Sequence, residues 1–117
     1  MKIEANPIFT TAIKFTAPGP GGRMETMRFD GTFKYLDKDA YEALMDAARA
    51  KGKAGGDGDQ HIIDAVMTGW SDVTDPSGND IVFSKEALAS ACKTFMSLRP
   101  AIVTSWVNAQ LGVEQGN

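Results

Sequence analysis

Six residues near the start, "APGPGG" from Ala17 to Gly22, constrain this chain more than any other stretch. Proline has no N–H for a ladder or a helix, and glycine admits backbone angles that other residues avoid, so no regular element continues through them. The residues on either side alternate. From Phe9 to Thr16, the side chains Phe9, Ile13 and Phe15 fall on one face and Thr10, Lys14 and Thr16 on the other. A period of two with β-favouring residues predicts a strand. From Met24 to about Leu36, Met27, Phe29, Phe33 and Tyr35 share one parity, with Arg28 and Lys34 on the other. Asp30-Gly31 in the middle reads either as a two-residue turn or as a bulge within one long strand, so two strands and three are both open. The glycines do not read as a phosphate cradle. Such a loop leads into a helix, and here a second alternating stretch follows.

After Leu36 the period changes. Asp37 suits a helix N-cap, with Asp39 in the first turn, and Tyr41, Leu44, Met45 and Ala48 recur at helical spacing. Arg49 and Lys51 suit the carboxyl end and Gly52 closes it; "GKAGGDGD" (Gly52 to Asp59) is a loop. A shorter helix carries Ile62, Ile63, Val66 and Met67, with Gly69 as its stop. Ser84 caps a third, with Leu88, Ala91, Cys92 and Phe95. Pro100 opens a fourth, whose apolar face is Ile102, Val103, Trp106, Val107 and Leu111. The expectation is one α+β domain over 1–117. It has an N-terminal β-hairpin of two or three antiparallel strands (about 8–36), about four helices (about 37–112) and a polar tail (113–117).

Composition narrows the function classes. Hydrophobic residues make up 43% and charged ones 23%, with a net charge of −3, which fits a folded domain rather than a disordered one. Lys and Arg are scattered, so no nucleic-acid partner is expected. No apolar run is long enough to span a membrane, and "MKIEANP" lacks the apolar stretch of a signal peptide, so the expected location is the cytoplasm. Cys92 and His61 are the sole cysteine and histidine, so Cys-His zinc clusters are excluded, and Cys92 reads as a packed side chain.

The stretch "GWSDVTDPSGNDIVFSKEAL" (Gly69 to Leu88) holds most of the polar chemistry. Counted from Asp75, a calcium loop would place Ser77 third, Asn79 fifth, Ile81 seventh and Glu86 twelfth. The sixth position then needs a glycine, and Asp80 stands there. A weak calcium-binding module at 75–86 is thus one reading. A catalytic group of Asp72, Asp75 and Asp80 is another, although no histidine or activated serine lies nearby in sequence. A third reading accounts for more residues. Asp75-Pro76-Ser77-Gly78 is a β-turn, Val73 and Ile81–Phe83 are its extended arms, and Trp70 anchors the joint between the second and third helices. On this reading Trp70, Phe83, Phe95 and Trp106 meet in a core built by the last three helices.

Two motifs, "GTFKYLDKDAYEAL" and "GW-x-DV-x-D-x-x-G-x-x-I-x-FS-x-EAL", resemble those of the phage tail assembly chaperones of long-tailed bacteriophages. The matching residues are Phe33 and Leu36, then Gly69, Trp70, Asp72, Val73, Asp75, Gly78, Val82, Phe83, Ser84 and Leu88. The resemblance extends in outline from about Gly31 to Leu111, and takes in Trp106 as a structural residue of the last helix. It implies a strand pair followed by helices, no catalytic residue and no cofactor. It also implies a host-cytoplasmic protein, absent from the mature virion, that binds the tape measure protein, keeps it soluble, helps tail tube protein assemble around it, and self-associates. Met24, Met27, Met45, Met67 and Met96 would lend adaptable surface to such a partner, unless they fill the core. A structural tail or head-tail component is the alternative. Chaperones of this kind are often extended by a backward ribosomal slip. Gln115-Gly116-Asn117 can be encoded as CAG-GGA-AAC, which contains a slippery heptamer; the alternative, which the residues favour, is an ordinary polar terminus that happens to allow those codons.

Overall fold

A computed structural model describes residues 1–114. The slippage expectation at Gln115–Asn117 lies outside the described residues. In chain order the elements are β1 (Ile8–Pro18), β2 (Met24–Lys34), α1 (Lys38–Lys53), α2 (Gly58–Val66), β3 (Met67–Ser71), α3 (Lys85–Thr94) and α4 (Leu98–Gln110). The strands form one antiparallel sheet in the order β1-β2-β3, and the architecture is α+β.

β1 and β2 pair without interruption from Ile8↔Lys34 to Pro18↔Met24. The break at Ala17–Gly22 becomes the hairpin connection, closed by Gly19 N–H to the Arg23 carbonyl at 2.8 Å and Gly22 N–H to the Gly19 carbonyl at 2.9 Å. Asp30-Gly31 is no turn. It lies inside the continuous strand β2, and the third strand comes from residues 67–71 instead. Gly31 faces the inner side of the sheet, where a Cβ would stand 2.6 Å from Ile13 Cδ1 and 2.7 Å from Phe33 Cε2. The glycine makes room for those two fully buried side chains rather than for a change of direction.

The second helix does not run to Gly69. It ends at Val66, and Met67 is already extended and paired with Phe33. The register shifts between Thr32 and Phe33, which leaves Thr68 as the extra residue of a bulge; its hydroxyl donates to the Thr32 carbonyl at 3.2 Å. Met67 follows Ile63 at helical spacing and yet belongs to the strand, because it is buried against the sheet.

The caps fall where the side chains indicated. Asp37 Oδ1 accepts from Ala40 N–H at 2.8 Å, and Ser84 Oγ from Ala87 N–H at 3.0 Å. Asp57 caps α2 in the same manner, accepting from Gln60 N–H. Four helix ends differ from expectation. α1 runs one residue past Gly52, and Gly55 and Gly56 close it: Gly56 N–H bonds the Lys51 carbonyl and Gly55 N–H the Gly52 carbonyl. α4 begins two residues before Pro100, which occupies its first turn, where a missing N–H costs no helical bond. Phe95 and Leu111 are C-cap residues rather than helical ones, and Leu111 is exposed.

The parity of the hairpin bonds positions α4. Bonds from Gly19 N–H to the Arg23 carbonyl and from Tyr35 N–H to the Pro7 carbonyl mark the odd-numbered residues of β1 and β2 as the pairs that exchange bonds. Even-numbered carbonyls therefore point outward: from β1 to its free edge, and from β2 toward β3. Ser97 Oγ donates to the Thr16 carbonyl at 2.7 Å, so α4 starts outside β1. Trp106 Nε1 donates to the Lys34 carbonyl at 3.1 Å, so its indole reaches the end of β2. The helix thus lies close to β1, and its last turns reach the chain where β2 ends. At its far end Gln110 takes Leu36 N–H on Oε1 (3.0 Å) and gives Nε2–H to the Leu36 carbonyl (2.7 Å), as a neighbouring strand would. Ile13, Phe33, Ile63, Val66, Ile102 and Trp106 are the largest fully buried side chains between sheet and helices.

Candidate functional site

The joint from Gly69 to Leu88 departs from the sheet at Asp72. That residue adopts φ of 63°, a left-handed conformation that aspartate tolerates better than most side chains. The chain then folds back as a small hairpin. Thr74 and Asp80 form a bridge, Ile81 N–H bonds the Val73 carbonyl at 2.8 Å, and Asp75 N–H bonds the Asn79 carbonyl at 2.9 Å. Asp75 Oδ1 accepts from both Ser77 and Asn79 N–H, at 2.9 and 3.0 Å, and Gly78 N–H returns to the Asp75 carbonyl with φ of 85°. This is the turn reading in detail. Each acid of the proposed catalytic group has a backbone role: Asp72 makes the corner, Asp75 ties the turn, and Asp80 pairs across it. Asp80, at the place where a calcium loop needs its sharp bend, lies instead in an extended bridge. Among the described residues no group of three or more His, Cys, Asp or Glu side chains could hold a metal ion.

Trp70 holds the joint to the body. Its Nε1–H donates to the Ile81 carbonyl at 2.8 Å, and its ring meets Phe83 at 5.2 Å and Phe29 at 6.2 Å, both edge-on. From Phe29 the contacts continue to Phe15 (6.3 Å) and on to Phe95 (5.3 Å). The four aromatics expected together do lie in or against one hydrophobic core, but the ring contacts divide them. Phe83, Trp70 and Phe95 belong to a row that runs across the inner face of the sheet, through Phe29 and Phe15. Trp106 is separate, against Tyr41 at 5.7 Å. The helical spacing of Phe95 and Trp106 gave no sign of this division, because the sheet supplies the intervening rings.

The remaining motif residues have structural places. Gly69 pairs with Thr32 in β3, Val73 packs against the core, Ser84 caps α3 and Leu88 is buried beneath it. Ile81 and Val82 are exposed, Val82 at 85%. Met24 and Met96 are also exposed, Met27 and Met45 are half-buried, and Met67 is buried, so only some of the methionines are available to a partner. Cys92 is buried, and that burial pushes its thiol above the ordinary range; the Arg99 charge lowers it and Asp57 raises it. His61 is half-buried on α2. Arg99 donates Nε–H to Gln60 Oε1 at 2.8 Å and pairs with Asp57 at 3.3 Å, which ties α4 to α2.

This molecule is a small sheet-and-helix body with several acids committed to caps and turns, and apolar side chains exposed at the joint and the sheet ends. The family model described as phage tail assembly chaperone matches residues 1–117, and the chain belongs to that family. No curated protein and no solved structure matches it. The family is one of chaperones and is not a known enzyme class. No described helix is long and apolar enough to cross a membrane.

Proposed function

We propose that this protein is a non-enzymatic chaperone that binds the tape measure protein in the host cytoplasm, keeps it soluble and promotes tail tube assembly, leaving before the particle matures. The observation that carries this reading is the match of the whole chain, from residue 1 to 117, to the tail assembly chaperone family. The site geometry is compatible. The acids are committed to turns, and exposed apolar side chains such as Val82 and Met96 offer contacts suited to helical partners. Self-association belongs to the same reading.

Coexpression tests it. The tape measure protein of the same tail-gene cluster should remain soluble with this chain and co-purify with it, and should precipitate without it. Purified mature particles should lack the chain. Stoichiometric recovery from particles would replace the proposal with the structural tail or head-tail alternative.

A further inference from the structure

One face of the sheet lies open. The odd-numbered residues of β1 and β2 face the helices, among them buried Ile13, Ala17, Phe29 and Phe33, whereas none of the even-numbered residues of the two strands is buried. On that open face the register sets Lys14 opposite Arg28 and Thr16 opposite Thr26, with Met24 exposed beyond them. Even-numbered pairs are the ones that exchange no bonds, so their side chains stand closest, with Cα atoms about 4.5 Å apart. Like charges placed directly opposite in this way disfavour the pairing. Among the described residues neither cation has a carboxylate within ion-pair reach; the ion pairs are Lys38–Glu42, Arg49–Asp46 and Arg99–Asp57, all elsewhere. Glu25 has the opposite parity, and its carboxylate lies against Gly19 in the hairpin connection. Residues 8–34 hold four basic side chains and two acidic ones, on a chain whose net charge is −3. The hairpin is a positive arm on a negative body.

We infer that the open face around Lys14 and Arg28 is a docking site for an acidic segment of a protein partner. A carboxylate set between the ammonium and the guanidinium turns their repulsion into two attractions, and the arginine fork can take both of its oxygens. Beside the cations the hydroxyls of Thr16 and Thr26 are exposed donors, whereas Thr10 and Thr32, further along the face, bond each other at 3.2 Å. Ser97 donates to the Thr16 carbonyl, which sets exposed Met96 near the same corner, so apolar contact is on offer next to the charges. A nucleic acid fits less well. Its phosphates form an unbroken run, and single strands are held by aromatic stacking. This face has no aromatic side chain, and Asp30 interrupts its positive charge. Spaced carboxylates of a polypeptide suit two adjacent cations with a carboxylate beyond them. The inference rests on the proposed function only in taking the tape measure protein as that partner.

The test is fluorescence anisotropy of the full chain with a labelled peptide of repeated Glu-Ser, its Gln-Ser counterpart and a labelled oligothymidylate. The wild type should bind the glutamate peptide, more weakly as salt rises, and should not bind the glutamine one. The double variant Lys14→Thr, Arg28→Thr repeats the threonine pairs already on this face and removes the like-charge contact. It should melt no lower than the wild type and bind the glutamate peptide about tenfold more weakly. Lys51→Gln with Lys53→Gln removes the same charge from the end of α1 and should bind as the wild type does. No glutamate-peptide binding, undiminished binding by the threonine variant, equal loss in the α1 variant, or tighter binding of the oligonucleotide overturns the inference. Should the threonine variant unfold, Arg28→Glu decides: it sets an opposite charge beside Lys14, which favours the strand pairing, and it must lose the peptide. Coexpression separates this inference from the proposed function. Full tape measure capture by the folded variant leaves the chaperone reading intact and overturns this docking site. Absence of capture by the wild type itself removes the chaperone reading, and the peptide measurements still decide the site.

Discussion

The molecule's two tryptophans occupy opposite kinds of place. Trp106 is fully buried, donates to the Lys34 carbonyl, and joins α4 to the end of β2. Trp70 is half-buried, donates to the Ile81 carbonyl, and pins an exposed hairpin to the sheet. Each spends its indole N–H on a backbone carbonyl, as a partly or wholly buried indole must. The difference lies in what the bond restrains. At Trp106 it ties two halves of the core, and loss of the ring leaves a hole that neighbouring elements cannot fill. At Trp70 it restrains a loop that water already surrounds. The two regions should therefore respond to mutation on different scales, the first globally and the second locally.

The largest effect belongs to the buried member. Trp106→Ala should cost about 3–5 kcal/mol, because it empties a core site and strips the Lys34 carbonyl of its donor. Chemical denaturation would measure it, and a near-native midpoint would break the contrast outright. Gln110→Ala comes next, at about 1–3 kcal/mol, since both backbone groups of Leu36 lose partners in a largely covered place. Gln110→Glu sharpens the point. A carboxylate still accepts from Leu36 N–H but cannot donate to the carbonyl, so it should recover only part of the loss.

Trp70→Phe should cost less, about 0.5–1.5 kcal/mol, the worth of one hydrogen bond with most of the ring contact kept. Its clearer readout is faster amide exchange at Ile81, whose bond to the Val73 carbonyl the indole supports, with core amides unchanged. Loss of core protection in this variant would erase the distinction between the two tryptophans.

The contrast also marks where sequence reasoning succeeded. The strand pair was legible because alternating residues flank one short break, and the Asp37 and Ser84 caps and the turn at Asp75 because each rests on contacts within a few residues. β3 was not legible. Val66 ends a helix and Met67 starts a strand with no break, and Met67 keeps the helical spacing set by Ile63. Its strand state comes from Phe33, thirty-odd positions away, and tertiary pairing of that kind leaves no local sign. Asp30-Gly31 misled for the same reason, since the need for glycine there arises from Ile13 across the hairpin. Of the motif residues, the turn and cap members could be assigned in advance. Asp72 could not, because its left-handed angle is imposed by the corner between β3 and the small hairpin.

The smallest effect should come from Asp75→Ala. Asp75 Oδ1 holds the amides of Ser77 and Asn79, which looks like a costly pair to lose. Both amides lie in an exposed turn, however, and water can replace the carboxylate at each. The backbone bonds from Gly78 to Asp75 and from Ile81 to Val73 also remain. Global stability should thus fall by no more than about 1 kcal/mol, near the limit for an exposed side chain. The change should appear instead as proteolytic nicking between Pro76 and Asp80, at a rate above that of the wild type and with an unaltered melting curve. Added calcium should leave the wild-type nicking rate where it was. If sub-millimolar calcium protected the wild type, and Glu86→Gln removed that protection, the loop would be a cation site and the turn only its unloaded form.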